Sequence, residues 1–542
     1  MPIPWEFITG KLAIDRELVL DKRLSEDQVH KLKIEIDNNH LELSSIDLHQ
    51  LPKSAYFILE TLLISANDEE QLLEISKQLI KSLEIPDHQW NWLEHDFDIV
   101  SSNYYKIRIL RILVEKLHPK SEELAWKLVI ALSYHINPNV PWSNNMNSEI
   151  LKDVLNQNGI QELIEKNILN FVYEDLKPTL LTFQKNLKKS DFSLANPNVS
   201  GSGYAVAKTH NKSLLHGGLR PKLGFSGINE SINSEDVRKT FKTSSDIRSL
   251  SMVWFTIYVS SSKSHYNEYW PLITSFILNV FDDHEALFKV QGCKLLKFLV
   301  EKLHPIPGQT HFLVKTGLQD LFIESVKICL SYLPQLTPVE ESIFILSNAY
   351  PVIYELVSLN DESKETLREF VDIINGNILT SISHIQDRVD EHMVDLNILL
   401  IQQIGVIIEF YLKENILVCL SRVNFILSQT ITSPFTIDKT KGTQLIDAAI
   451  QIQLKILRAV QSLNDPEAMS LILNYRYDFL AAWTILIKRL EKTSYEFDTS
   501  NIKIAFQVLK DICKSINKLE ELKDDVHKIS THTPQINEIF SI

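Results

Sequence analysis

The chain has 542 residues, 44% of them hydrophobic and 23% charged, so it can fill a large core and is not a disordered polymer. Its formal net charge of −14 argues against nucleic acid or an anionic membrane as the main partner, while leaving room for a local basic patch. Fourteen glycines in this length are few, which favours helices over a loop-rich β architecture.

In chain order, an N-terminal block over 1–189 reads as helices at 24–36, 54–66, 68–84, 103–118, 121–136, 148–157 and 159–188. Asp68 and Ser121 are expected N-caps, and Pro86, Pro119 and Pro138 follow helix ends. From 190 to 244 the composition changes. Six of the fourteen glycines fall there, with frequent Ser and Asn, which predicts a long, partly disordered linker between helical blocks. It is also basic, with seven Lys or Arg against one acid, Asp191, between Gln184 and Phe225.

A second block is expected over 245–521, with helices at 235–260, 264–281, 283–304, 309–332, 338–358, 361–387, 390–413, 414–430, 442–462, 466–491 and 499–521. Met252–Val259 favours a strand by local propensity, but within a helical series it reads as a buried helix. Residues 522–542 are polar and read as a loose tail with a short amphipathic piece.

The stretch 270–305 is the most informative. Pro271 is expected in the first turn of one helix, where its missing N–H has no partner in any case. Asp282 and Glu285 have the spacing of a capping box that starts the next helix. Phe288, Gly292, Leu295, Leu299 and Leu303 then form one stripe, with Lys294, Lys297 and Glu301 on the opposite face. The last seven residues, LVEKLHP at 299–305, also occur at 113–119, and Arg111 and Glu115 fall where Lys297 and Glu301 fall. Stacked helical hairpins make an α-solenoid, and a solenoid can run to this length as one body that mostly binds other proteins.

Little in the chain suggests chemistry. Asp282, Asp283, His284 and Glu285 are adjacent at a helix start and cannot all face one ion, so a cap is the simpler reading. His284-Glu285 is not followed by the His of a zinc-protease motif. Gly201-Ser202-Gly203 lacks the third glycine of a dinucleotide loop, and there is no phosphate-loop motif or nucleophile elbow. His118 and His304 precede prolines at helix ends, as capping histidines do. The N-x-S/T sites at Asn198, Asn211 and Asn229 carry no meaning without a secretory signal. Cys293, Cys329, Cys419 and Cys513 are far apart, which points to neither disulfides nor zinc. The N-terminus lacks a signal-peptide pattern, and the longest apolar run, Leu396–Ile408, is interrupted by Gln402 and Gln403 and is too short to span a bilayer. The expected location is cytoplasm, nucleus or both, with no cofactor and no metal.

Trp270-Pro271, Asp282-Asp283, Lys289, Gly292 and Leu295-Leu296 resemble the core motif of the Tel-two-interacting protein two family. The next stretch, 315–351, is similar as well, with Thr316-Gly317-Leu318 and Ser331-Tyr332-Leu333-Pro334. Arg220-Pro221-Lys222-Leu223-Gly224-Phe225 looks like the family's short motif ahead of this core. The continuous resemblance covers about 250–460, and the first 190 residues carry no motif that can be placed. Asp283, Phe288-Lys289, Gly292 and Leu295-Leu296 also echo the HEAT pattern of a turn Asp, an apolar-basic pair, a small residue and an apolar pair.

The resemblance implies an all-α, HEAT-like solenoid that serves as a non-catalytic subunit of the TTT co-chaperone complex. That complex delivers phosphatidylinositol-3-kinase-related kinases, of the TOR, ATM and ATR types, to the ninety-kilodalton heat-shock chaperone. The implied direct partners are the complex's long helical-repeat subunit and its Tel-two-type subunit. The alternative is another HEAT-type adaptor for transport or assembly, and an enzyme ranks third.

Overall fold

The computed structural model describes residues 69–117, 122–189, 238–260, 263–306, 311–360, 364–385, 392–492 and 496–540, with a few positions between 30 and 64. Among them every regular element is helical and none is a strand, as an all-α solenoid requires. The helices predicted at 24–36 and most of 54–66, the caps Asp68 and Ser121, and the linker 190–237 lie outside the described residues.

Two compact units divide the chain between Gln309 and Thr310. The first contains α1 (Glu69–Ser82), α2 (Phe97–Leu117), α3 (Glu122–Ser133), α4 (Asn145–Leu155), α5 (Asn158–Asn170) and α6 (Lys177–Lys189). A π-helical turn at Phe171–Leu176 carries α5 into α6 without a break. After a short helix at 238–243 come α7 (Ser249–Val259), α8 (Lys263–Phe281) and α9 (Ala286–Leu303). α7 is buried on nearly every side from Ser249 to Ile257. That explains why its sequence shows no amphipathic period and is ambiguous by propensity.

The boundary expected in 190–244 is corrected here. α7 packs on α3 and on the π turn, and α8 packs on α6. Phe171 meets Phe255 at 5.3 Å between ring centroids, and Phe183 meets Phe276 at 5.9 Å. Helices up to Leu303 therefore share one core with the N-terminal block.

The two LVEKLHP copies occupy equivalent places. Each contributes the last turn of a long helix, α2 or α9, with Leu113, Val114, Leu299 and Val300 buried. Each carries the i,i+4 pair expected from the alignment, Arg111–Glu115 at 3.3 Å and Lys297–Glu301 at 3.6 Å.

The second unit is a two-layer stack. One layer runs through α11 (Val339–Ser358), α14 (His392–Ile407), α16 (Gly442–Leu463) and α19 (Ser500–Ser515), each packed on the next. The other runs through α13 (Leu379–Ile385), α15 (Leu420–Thr432) and α18 (Arg476–Leu490). α10 (Leu318–Cys329) packs on α11 at one end, and a π turn joins α12 (Lys364–Asp372) to α13. α17 (Pro466–Leu473) is capped by Asp465, whose side chain accepts from the Glu467 and Ala468 amides. This is the layered hairpin arrangement of a solenoid.

Several local expectations are corrected. Gly317, at φ 69°, separates a single turn (Phe312–Lys315) from α10, so 309–332 is not one helix. The expected helix 466–491 breaks between Leu473 and Arg476. Pro271 lies inside α8 and not in its first turn. The polar C-terminus is not a loose tail. It forms α20 (Leu519–His532) and α21 (Ile536–Ile539), which bury Leu522, Val526, Ile536 and Phe540. Arg476 on α18 bonds Asp525 of α20 at 3.0 Å, and both side chains are largely buried.

The apolar run 396–408 belongs to a longer helical stretch, Met393–Thr432, which by length and composition alone could cross a membrane. Its Leu400, Ile401, Ile404, Ile407, Leu412, Val423 and Leu427 are buried in the second unit, as in the core helix of a stack. The stretch also turns sharply at Lys413, where φ is 50°.

Candidate functional site

The residues that carry the sequence motif converge on the α8–α9 turn. Asp283 Oδ1 accepts from the Glu285 amide at 2.8 Å, an Asx turn that ends α8 and sets the entry to α9. The expected Asp282–Glu285 capping box does not form, because α9 begins at Ala286 and Glu285 makes no side-chain cap bond. Asp282 and Glu285 face basic side chains from the short helix 238–243 instead.

Lys242 Nζ donates to Asp283 Oδ1 at 2.9 Å and to Glu285 Oε2 at 2.7 Å. Arg238 Nη2 donates to Asp282 Oδ2 at 2.9 Å, and Arg238 Nη1 donates to the Asp282 carbonyl. Arg238, Phe241 and Lys242 stand at helical spacing, so one face of a short helix presents an apolar side chain between two cations. Phe241 is buried against Phe183 at 4.5 Å between centroids. The main chain that follows is held too. The His88 amide donates to the Thr243 carbonyl at 3.0 Å, and the Ser245 amide donates to Asp87 Oδ1 at 2.9 Å.

The strength of these pairs depends on burial. The Asp283 side chain is 1% exposed and Lys242 is 15% exposed, so their pair is shielded from water. Asp282 is 75% exposed, and its pair with Arg238 contributes little beyond the carbonyl contact.

The other motif residues have structural neighbours. Lys289 is buried and donates to the Phe281 carbonyl, closing the C-terminus of α8. A Cβ on Gly292 would stand 3.3 Å from three carbons of the Phe281 ring, so the missing side chain lets α8 and α9 approach closely. Trp270 is half-buried on α8, Gly317 supplies the left-handed residue before α10, and Pro334 is buried beyond α10. The structure thus brings Asp282, Asp283, Lys289 and Gly292 together with Arg238 and Lys242. Gly317 and Pro334 belong to the second unit, and Arg220 and Pro221 lie outside the described residues.

Sequence reasoning missed Arg238, Lys242, Trp90 and Trp92. With Asp283 and Glu285, they line an open groove of about 480 Å³ in the first unit. Trp92 meets Phe288 at 5.0 Å and Trp90 meets Trp142 at 4.9 Å between ring centroids. The signal available was the tryptophan pair in Trp90-Asn91-Trp92, together with the Arg238/Phe241/Lys242 spacing just past the linker.

Buried ionisable groups elsewhere serve the core. His135 is fully buried, and burial holds its imidazole down to about 4. Its Nε2 lies 2.8 Å from the Leu83 carbonyl and its Nδ1 lies 3.4 Å from the Asn103 amide nitrogen, as a neutral ring requires. Burial also lowers Lys106 and Lys294 to about 8. All four cysteines are buried and none forms a disulfide, and no group of three His, Cys, Asp or Glu side chains with metal-binding geometry occurs among the described residues.

The architecture is a stack of helical hairpins, and its best-formed polar cluster joins distant segments of the one chain. The chain belongs to the Tti2 family, whose model matches residues 128–438, more than half of its length. This is a family of TTT-complex scaffold subunits and not a known enzyme family. The match begins well before residue 190, so the N-terminal block carries family sequence that motif inspection did not find. No curated protein and no solved structure matches the chain.

Proposed function

We propose that this chain is a non-catalytic scaffold subunit of a TTT-type complex, supporting chaperone-dependent folding, stability and assembly of phosphatidylinositol-3-kinase-related kinases of the TOR, ATM and ATR types. The observation that carries the reading is the family match across 128–438. It docks directly on the long helical-repeat subunit and on the Tel-two-type subunit, and reaches the kinases and the heat-shock machinery through them. It works in cytoplasm and nucleus by affinity and positioning, with no turnover of its own.

The second unit supports this role physically. Phe410, Val418, Phe425 and Phe435 are each more than 60% exposed, and Leu336 is 98% exposed. These side chains are the first candidates for the docking surface that the reading requires.

Affinity purification of the tagged full-length chain tests the proposal. The expected result is recovery of a long helical-repeat protein and a Tel-two-type protein in amounts comparable to the bait. Recovery of a small GTPase with neither of these would show a transport adaptor and refute the assignment.

A further inference from the structure

The chain holds three Ser/Thr-Pro pairs, Thr337-Pro338, Ser433-Pro434 and Thr533-Pro534, each between two helices of the second unit. Access separates them. Thr533 is 2% exposed, and its Oγ1 is sealed from water. Ser433 follows directly on the last turn of α15, where Arg489 holds the Thr432 carbonyl. Thr337 stands in the loop 330–338 between α10 and α11, two residues before α11 begins. Next to it Leu336 is 98% exposed, and Gln335 and Pro338 are exposed as well.

The plain reading of Thr337 is a helix cap, since Thr337 and Glu340 have the spacing of a capping box. The geometry rules that out. Pro338 is the N-cap, with φ −54° and ψ 146°, and α11 has no side-chain cap bond. The Thr337 hydroxyl makes no hydrogen bond among the described residues, and unlike that of Thr533 it is not sealed from water. A solvent-reachable hydroxyl followed by proline in a projecting loop is the substrate pattern of proline-directed protein kinases. Those enzymes take proline after the acceptor, where its missing N–H costs them no bond.

We propose that Thr337 is a phosphorylation site for a proline-directed protein kinase, with ATP as the phosphoryl donor. Thr337 Oγ1 bonds the γ-phosphorus, the bond from that phosphorus to the departing ADP oxygen breaks, and the hydroxyl proton passes to the kinase's catalytic carboxylate. The product carries a charge of about −1.5 to −2 beside Leu336. Its effect on α11 is small, because attraction to the helix N-terminus is opposed by Glu340 and Glu341 in the first turn. Modification therefore leaves the fold in place and turns a projecting apolar tip into a charged one. The site is independent of the scaffold role.

The purified full-length chain is incubated with ATP and, separately, a cyclin-dependent kinase and a mitogen-activated kinase, and phosphate is located by mass spectrometry. The expected result is phosphate on Thr337 and none on the sealed Thr533, which controls for unfolded chain. Thr337→Val keeps the side-chain shape and should lose that phosphate at an unchanged melting temperature. Pro338→Ala keeps the carbonyl that accepts from the Ser342 amide and should slow phosphorylation of Thr337 about tenfold. Thr337 left unmodified by both kinases, or modified as fast in Pro338→Ala as in wild type, overturns the assignment.

Discussion

Replacing Lys242 with Met should destabilise the first unit by about 3 kcal/mol. Lys242 is the cation that balances Asp283, whose side chain is 1% exposed, and it also reaches Glu285, which is 40% exposed. Breaking a buried ion pair from one side costs roughly 3–5 kcal/mol, because the remaining charge is left uncompensated. The low end applies, since Lys242 keeps 15% exposure and the Glu285 arm is worth at most about 1 kcal/mol. A loss of 3 kcal/mol corresponds to a fall of about 6–12 °C in the melting temperature of a unit of this size. Urea titration followed by tryptophan fluorescence is a suitable assay, because Trp90 and Trp92 line the same groove. The companion Lys242→Met/Asp283→Asn double variant removes both charges and keeps an oxygen for the Glu285 amide. It should recover about 2 kcal/mol relative to the sum of the single variants. A Lys242→Met protein as stable as wild type, or a double variant no better than additive, would refute the reasoning.

Three further outcomes follow from burial and packing. Because His135 titrates near 4 when folded and near 6.5 when unfolded, the unfolded chain binds the extra proton between those values. Its contribution is therefore complete above about pH 6.5 and is lost as pH falls, reaching a deficit of about 2 kcal/mol at pH 5. A His135→Gln protein should show a flatter urea midpoint against pH over that window. Gly292→Leu should cost about 1–3 kcal/mol by overpacking Phe281, whereas Gly292→Ala should be nearly neutral, because helix propensity offsets a contact that a small ring tilt relieves. Gly442→Ala should be worse than Gly292→Ala in thermal melts, since its Cβ would fall 1.6 Å from the Thr436 carbonyl oxygen, which is backbone and cannot rotate away.

What the sequence made legible was local. Helices with one apolar face, such as α19, were readable from their period, and the LVEKLHP copies marked equivalent helix ends. α7 was readable only from its neighbours, because burial on all sides erases the period. The unit boundary was not readable. It depends on contacts such as Phe171–Phe255 and Phe183–Phe241, which join residues far apart in the chain, while the Gly-rich composition of 190–244 suggested a division there. The C-terminal helices were misjudged for a related reason. Their polar surface is real, but Leu522, Val526 and Phe540 are enough to dock them. At the site, Asp283 and Gly292 were legible as turn and packing residues. Lys242, which pairs with Asp283, and Trp92, which packs on Phe288, were not, since nothing in one dimension places residues 92, 242 and 283 together.

The central claim is that this chain sustains the kinases as a scaffold, and kinase half-life after acute depletion tests it most directly. Clients that miss chaperone-assisted assembly are cleared as protein, so the half-lives of several kinases of the TOR, ATM and ATR types should shorten while their messenger RNA stays constant. Re-expression of the wild-type chain should restore them. Kinase half-lives unchanged after complete loss of the chain would contradict the account.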